Sequence, residues 1–155
     1  MSPLAAYAEP TAMPTSESIR VAQLLALDDA DHLDEVSLAQ RVTAGLKPKS
    51  VSALGNLLGN NLVIGPVVPE ATLRRVRKNR TRLSREHSER LYELGRVVDA
   101  VSRAYHGDTK QISSFLSRPH PLLAGSTPFD MARSSSAGTD AVLNLLRRAD
   151  AGVAL

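Results

Sequence analysis

Cysteine and tryptophan are absent from this chain, and its 155 residues include only three tyrosines and two phenylalanines. Without cysteine there can be no disulfide, no thiolate chemistry and no zinc–sulfur site, which suits a reducing cytoplasm. With so few rings, the core must be built from leucine, valine, isoleucine and alanine, a composition that favours helices. Long apolar runs are missing too. Nothing approaches the roughly 20 residues a membrane helix needs. Residues 1–18 have no basic segment followed by an apolar one, so no secretory signal is expected. The alanine, proline, serine and threonine of residues 1–17 read as a flexible arm.

The patterns of catalysis are also lacking. His32, His87, His106 and His120 are far apart and show no ligand spacing, so no metal site is expected. Neither G-x-x-x-x-G-K-[ST] nor G-x-G-x-x-G occurs, which removes the usual phosphate-cradling loops. Serines are plentiful, yet none sits in a G-x-S-x-G elbow that would make it a nucleophile. Glu86, Glu89 and Glu93 are spaced to pair with Arg90 and Arg96 on an exposed helix face, as solubility charges. The reading is a non-enzyme with no cofactor.

What is present begins with charge. The formal net charge of +3 hides an uneven distribution. In residues 1–46, Arg20 and Arg41 stand against Glu9, Glu17, Asp28, Asp29, Asp31, Asp34 and Glu35. Residues 47–103 are basic, most densely at Arg74, Arg75, Arg77, Lys78, Arg80, Arg82 and Arg85. No Trp/Phe face accompanies this block, so a polyanion such as nucleic acid suits it better than a membrane.

Periodicity then places helices. Ile19, Leu24, Leu25 and Leu27 suggest a short helix ending at the acidic loop around Asp28. Val36, Leu38, Ala39 and Val42 suggest a second, closed by Gly45. A third opens at Pro48, with Val51, Leu54, Leu57 and Leu58 at three- and four-residue steps, and closes at Gly59-Asn60-Asn61. Helix, tight turn and helix is the order of a helix-turn-helix unit, whose second helix enters the major groove with its N-terminal residues foremost. The candidate DNA-binding residues are therefore Lys47, Lys49, Ser50, Ser52 and Asn56, joined by Arg74, Arg75, Arg77 and Lys78 of the basic block. A plain structural hairpin fits the same pattern. Residues 62–68 read as a short extended connection broken by Gly65-Pro66, and Pro69-Glu70 starts the arginine-rich helix. Ser84 caps the longest helix, whose stripe runs Leu91, Leu94, Val98, Val101 and Tyr105. Ile112, Phe115 and Leu116 face one way on the next helix. Thr127-Pro128 starts a short helix through Arg133, residues 134–138 read as a linker, and a last helix covers about residues 139–149.

The punctuation of residues 115–155 is the most specific pattern: Pro119-x-Pro121…Gly125-x-Thr127-Pro128-Phe129-Asp130-Met131, then Gly138…Val142-x-x-Leu145, then Arg148…Gly152-Val153. In order and spacing it resembles the C-terminal toxin-binding domain of the Xre/MbcA/ParS antitoxins. Val68-Pro69…Thr72-Leu73 and Leu83-Ser84…Glu86-x-Ser88-x-Arg90-Leu91 resemble the stretch preceding that domain. The resemblance implies an all-α protein: an Xre-like helix-turn-helix module over residues 18–82, then a helical toxin-binding module over residues 83–155 ending in a C-terminal tail. It implies a cognate RES-domain toxin that degrades NAD or modifies proteins with ADP-ribose, whose active-site cleft the tail occludes. The expected toxin-binding residues are Arg147, Arg148, Asp150, Ala151, Gly152, Val153, Ala154 and Leu155. Alanine stands at 149 and 151 where the family tends to carry larger side chains, and Phe115 where tryptophan is common.

Operator DNA and a second copy of the chain are the other expected partners, since two-fold DNA sites mirror two-fold proteins. Two alternatives remain: a stand-alone helix-turn-helix regulator whose C-terminal helices only dimerise, and a protein–protein adaptor that no longer binds DNA.

Overall fold

The computed structural model describes residues 2–150. They are all-α: helices α1 (Glu17–Leu24), α2 (Glu35–Ala44), α3 (Lys49–Leu58), α4 (Asn60–Val63), α5 (Glu70–Asn79), α6 (Arg85–Ala104), α7 (Thr109–Ser117), α8 (Pro128–Ser134) and α9 (Ser136–Asp150). Short 3-10 turns occur at Pro3–Ala8, Ala30–His32 and Pro121–Leu123. No sheet forms among the described residues; Ile64 and Val68 make an isolated bridge, with the Gly65 N–H donating to the Val68 carbonyl at 2.8 Å. Of the segment expected to be extended, Leu62 and Val63 instead join the single turn of α4.

Two compact units divide the chain within α6. Pro14–Gly95 forms one; described residues up to Met13 and from Arg96 onward form the other. The module boundary drawn from the sequence lies at residues 82–83, in the connection before α6.

In the Pro14–Gly95 unit α1, α2 and α6 begin on a side chain that accepts from the first turn, whereas α3, α4 and α5 follow Pro48, Gly59 and Pro69 with no side-chain cap. Ser16 caps α1, and Asp34 caps α2 by accepting from the Ser37 N–H at 2.7 Å. That bond holds the Asp34 carboxyl below its ordinary range. The core collects Val21, Leu24, Leu25, Leu38, Val42, Val51, Leu54, Val63, Val68, Leu73 and Val76, all buried. Val36 is the exception: it sits in the first turn of α2 and is 65% exposed. Gly59 ends α3 at φ 103°, as its left-handed tolerance suggests.

The turn between α2 and α3 is the most constrained piece. Gly45 adopts φ 102°, and a Cβ there would overlap the Leu83 carbonyl, so glycine is required on both counts. Leu46 donates its N–H to the buried Ser88 Oγ at 2.8 Å and accepts from the Leu83 N–H at 2.8 Å. Two further anchors come from Arg82, which reaches the Gly45 carbonyl at 3.3 Å, and Ser50, whose hydroxyl donates to the Leu25 carbonyl at 2.7 Å.

The second unit begins with a segment whose composition reads as an arm. Pro3–Ala8 is a capped 3-10 turn, and it buries Leu4 and Tyr7. The Tyr7 hydroxyl donates to the buried Asp99 Oδ1 at 2.7 Å. Two apolar side chains and one buried polar partner suffice to order a stretch that averages as polar and proline-rich. From α6, Val97, Val98 and Val101 join Ile112, Leu116, Leu123, Phe129, Val142, Leu145 and Leu146 in its core.

Asp108 caps α7, accepting from the Lys110 and Gln111 N–H groups. Thr127 caps α8 as its Thr-Pro pair indicates, accepting from the Asp130 N–H at 3.0 Å. Residues 134–138 are not a linker. α8 runs to Ser134, Ser135 is extended at φ −171°, and α9 starts at Ser136. Ser135 Oγ accepts from the Gly138 N–H at 3.0 Å, which makes it the cap of α9. α8 and α9 pack closely, with the Thr139 hydroxyl donating to the Ala132 carbonyl at 2.8 Å.

Candidate functional site

Among the residues expected from the sequence to bind DNA, one contact joins two helices of the Pro14–Gly95 unit. α3 and α5 are linked there: Arg77 Nη2 donates to Ser52 Oγ at 2.8 Å. Arg74, Arg75, Arg77 and Lys78 are all exposed on α5, and Arg74 is tied loosely to Glu70 at 3.4 Å. Asn56 is exposed on α3. Ser50 is a correction. It is fully buried, and its hydroxyl is used on the Leu25 carbonyl, so it offers nothing to a phosphate.

Lys47 and Lys49 flank the start of α3, and both are already paired. Asp28 receives Lys47 Nζ on one oxygen at 2.7 Å and Lys49 Nζ on the other. All three side chains are close to half exposed. Hydrogen bonds from the two ammonium groups, aided by their charge, hold the Asp28 carboxyl well below the usual carboxylate range. Around them lies a cleft of about 360 Å³ whose wall also includes Asp29, Arg41 and Arg82. Arg41 Nη1 donates to the Asp28 carbonyl at 3.1 Å. Four cations thus line the cleft that holds Asp28, two of them on its carboxylate, and a group with phosphate's charge and acceptors would suit the same donors. The sequence reading missed Asp28, Arg41 and Arg82 in this role. Asp28 lies 19 and 21 residues from its two lysines, beyond any periodic signal.

Of the expected toxin-binding residues, Arg147, Arg148 and Asp150 lie at the end of α9. Arg147 and Arg148 are exposed in its last turn, with Arg147 Nη1 donating to Asn144 Oδ1 at 2.8 Å. Cations at a helix C-terminus also complement its dipole. Asp150 closes α9. Ala151, Gly152, Val153, Ala154 and Leu155 lie outside the described residues. Before them, α8 packs on α9, and the 3-10 turn Pro121–Leu123 also rests on α9. Among the described residues no group of His, Asp and Glu could hold a metal ion, and no helix is long and apolar enough to cross a membrane.

No curated protein matches the chain. A family model does match, over the end of α6, α7, α8 and α9. Residues 102–152 fit the antitoxin Xre/MbcA/ParS C-terminal toxin-binding domain, and the chain is an all-α protein that carries this antitoxin domain in its C-terminal third.

Proposed function

We propose that the chain is the antitoxin of a type II toxin–antitoxin pair. It acts by binding and not by catalysis. Its C-terminal segment, Arg147, Arg148 and residues 150–155, enters and blocks the active-site cleft of a cognate RES-domain toxin. The match of residues 102–152 to the toxin-binding domain carries this reading. Chemistry agrees with it. A cleft built for NAD carries cationic groups for the pyrophosphate, and the Asp150 carboxylate has the charge to occupy them. Lys47, Lys49, Ser52, Asn56 and the arginines of α5 serve operator DNA in the same proposal, with the chain acting as a cytoplasmic homodimer. The exposed cations on α3 and α5 and the Arg77–Ser52 link support that role.

Co-expression with the protein encoded beside it tests the proposal. The full chain should form a stable complex and relieve growth arrest. A variant lacking residues 150–155 should leave the toxin's NAD consumption unchecked while still binding operator DNA. Full neutralisation by the truncated chain sinks the tail mechanism. DNA binding is measured by fluorescence anisotropy over a salt series, where phosphate contacts make affinity fall steeply with salt. Absence of salt-sensitive binding favours a pure adaptor.

A further inference from the structure

A second cleft lies wholly within the matched domain and uses none of the tail residues. It holds about 410 Å³ and is bounded by Tyr105, Phe115, Lys110, Gln111, Arg118 and His120. Of the five aromatic residues, Tyr7 and Phe129 are buried in the core and Tyr92 is half-buried on α6, whereas the half-buried Tyr105 and Phe115 both line this one cleft. Their rings meet at 6.1 Å between centroids, tilted by 50°. That contact fixes an apolar floor at little entropic cost.

The walls are cationic, and no carboxylate lines them. Arg118 Nη2 donates to Ser114 Oγ at 2.9 Å, which holds the guanidinium at the rim with its other N–H groups available. His120 Nδ1 accepts from the Leu122 N–H at 3.1 Å, so the neutral ring carries its proton on Nε2 as a donor. Two residues beyond His120, Leu122 is 55% exposed on the 3-10 turn. Accessible tyrosine and phenylalanine rings beside a held arginine are residue types enriched at protein interfaces, tyrosine and arginine especially at their hot spots.

We propose that this cleft is a second docking site for the toxin, taking an acidic surface segment that carries an apolar anchor. The anchor rests on Tyr105 and Phe115, its carboxylates meet Lys110 and Arg118, and Leu122 extends the apolar contact. The inference rests on the reading of residues 102–152 as a toxin-binding domain. It divides the labour: the tail blocks catalysis, and the cleft supplies affinity. Two joined contacts raise the effective concentration of the tail at the toxin's active site.

The test uses the full chain and the purified protein encoded beside it, with titration calorimetry at two salt concentrations. Lys110→Glu is the safest variant, since an acid in the first turn of α7 suits the helix dipole. Lys110→Glu/Arg118→Glu and Phe115→Ala accompany it, each checked for an unchanged helical circular-dichroism spectrum. The expected result is a Kd at least tenfold higher for the double variant, with a smaller loss on adding salt than the parent shows. The variant lacking residues 150–155 should behave oppositely, still binding the toxin but failing to inhibit it. Toxin affinity within twofold of the parent for Lys110→Glu/Arg118→Glu and Phe115→Ala overturns the inference and leaves the antitoxin reading intact. A fall in operator affinity with toxin affinity unchanged assigns the cleft to nucleic acid and also overturns it. If the parent chain itself fails to bind the toxin, the antitoxin reading falls, and this inference with it.

Discussion

Asp28 holds both lysines that the start of α3 could offer to a phosphate. In the proposed DNA-binding role it is an internal competitor, so its removal has a signed consequence. Asp28→Asn keeps the shape and removes the charge, which should raise affinity for operator DNA. If both lysines then meet phosphates, the slope of log K against log salt should steepen by up to about 2, from roughly 0.9 per phosphate. Anisotropy titrations at several salt concentrations read this directly, and an unchanged slope separates these lysines from the DNA contact. Stability should respond to pH in the opposite sense to a raised pKa. The folded carboxyl titrates below its ordinary value near 4, so between the two values the unfolded chain binds more protons. Its contribution is therefore complete above about pH 4 and is lost as pH falls through the depressed folded value. Because these groups are about half exposed, solvent screens the contribution and keeps it small. In urea melts the difference between parent and Asp28→Asn should shrink on going from pH 7 to pH 3.

At the scale of elements, Gly138 shows where local pattern and tertiary contact part company. Following Ser134-Ser135-Ser136-Ala137, it reads as part of a loop, yet it lies in the first turn of α9. A Cβ at this position would overlap the Met131 carbonyl oxygen of α8. Helix propensity alone predicts that Gly138→Ala stabilises by about 1 kcal/mol. The contact predicts the reverse: α8 and α9 must separate, at a cost of about 1–3 kcal/mol for overpacking. A urea titration decides the sign, and a more stable Gly138→Ala chain refutes the close-contact account. Signals that act within one turn were legible: the caps at Ser84 and Thr127, the glycine ends at Gly45 and Gly59, and the buried Leu91–Leu94–Val98–Val101 stripe. What escaped depends on distant partners. Ser50 looked available for a phosphate because nothing local says that Leu25 accepts its hydroxyl. Lys47 and Lys49 were legible as surface cations, but their shared Asp28 was not.

At the scale of the whole chain, the N-terminal residues belong with the C-terminal unit. Leu4 and Tyr7 are 5% and 4% exposed, and Tyr7 supplies a hydroxyl to Asp99, which α6 holds buried at 1% exposure. Arg103 pairs with the other Asp99 oxygen at 3.4 Å. Removing residues 2–13 therefore strips two buried side chains, each worth about 1.5–3 kcal/mol, and takes one hydrogen bond from a buried carboxylate. Tyr7→Phe isolates the second effect and should cost about 1–3 kcal/mol while leaving the packing in place. Hydrogen exchange should locate the damage: amides of α7, α8, α9 and the second half of α6 lose protection, and those of α2, α3 and α5 do not. The functional corollary concerns how the toxin-binding domain is delimited. A fragment begun at residue 83 omits the segment that completes the unit, so it should melt lower than the full chain. Adding a peptide of residues 2–13 should recover part of the difference. If neither the deletion nor Tyr7→Phe shifts the melting of that unit, the Tyr7–Asp99 bond contributes nothing to it. The toxin-binding domain would then be self-sufficient from α6 onward.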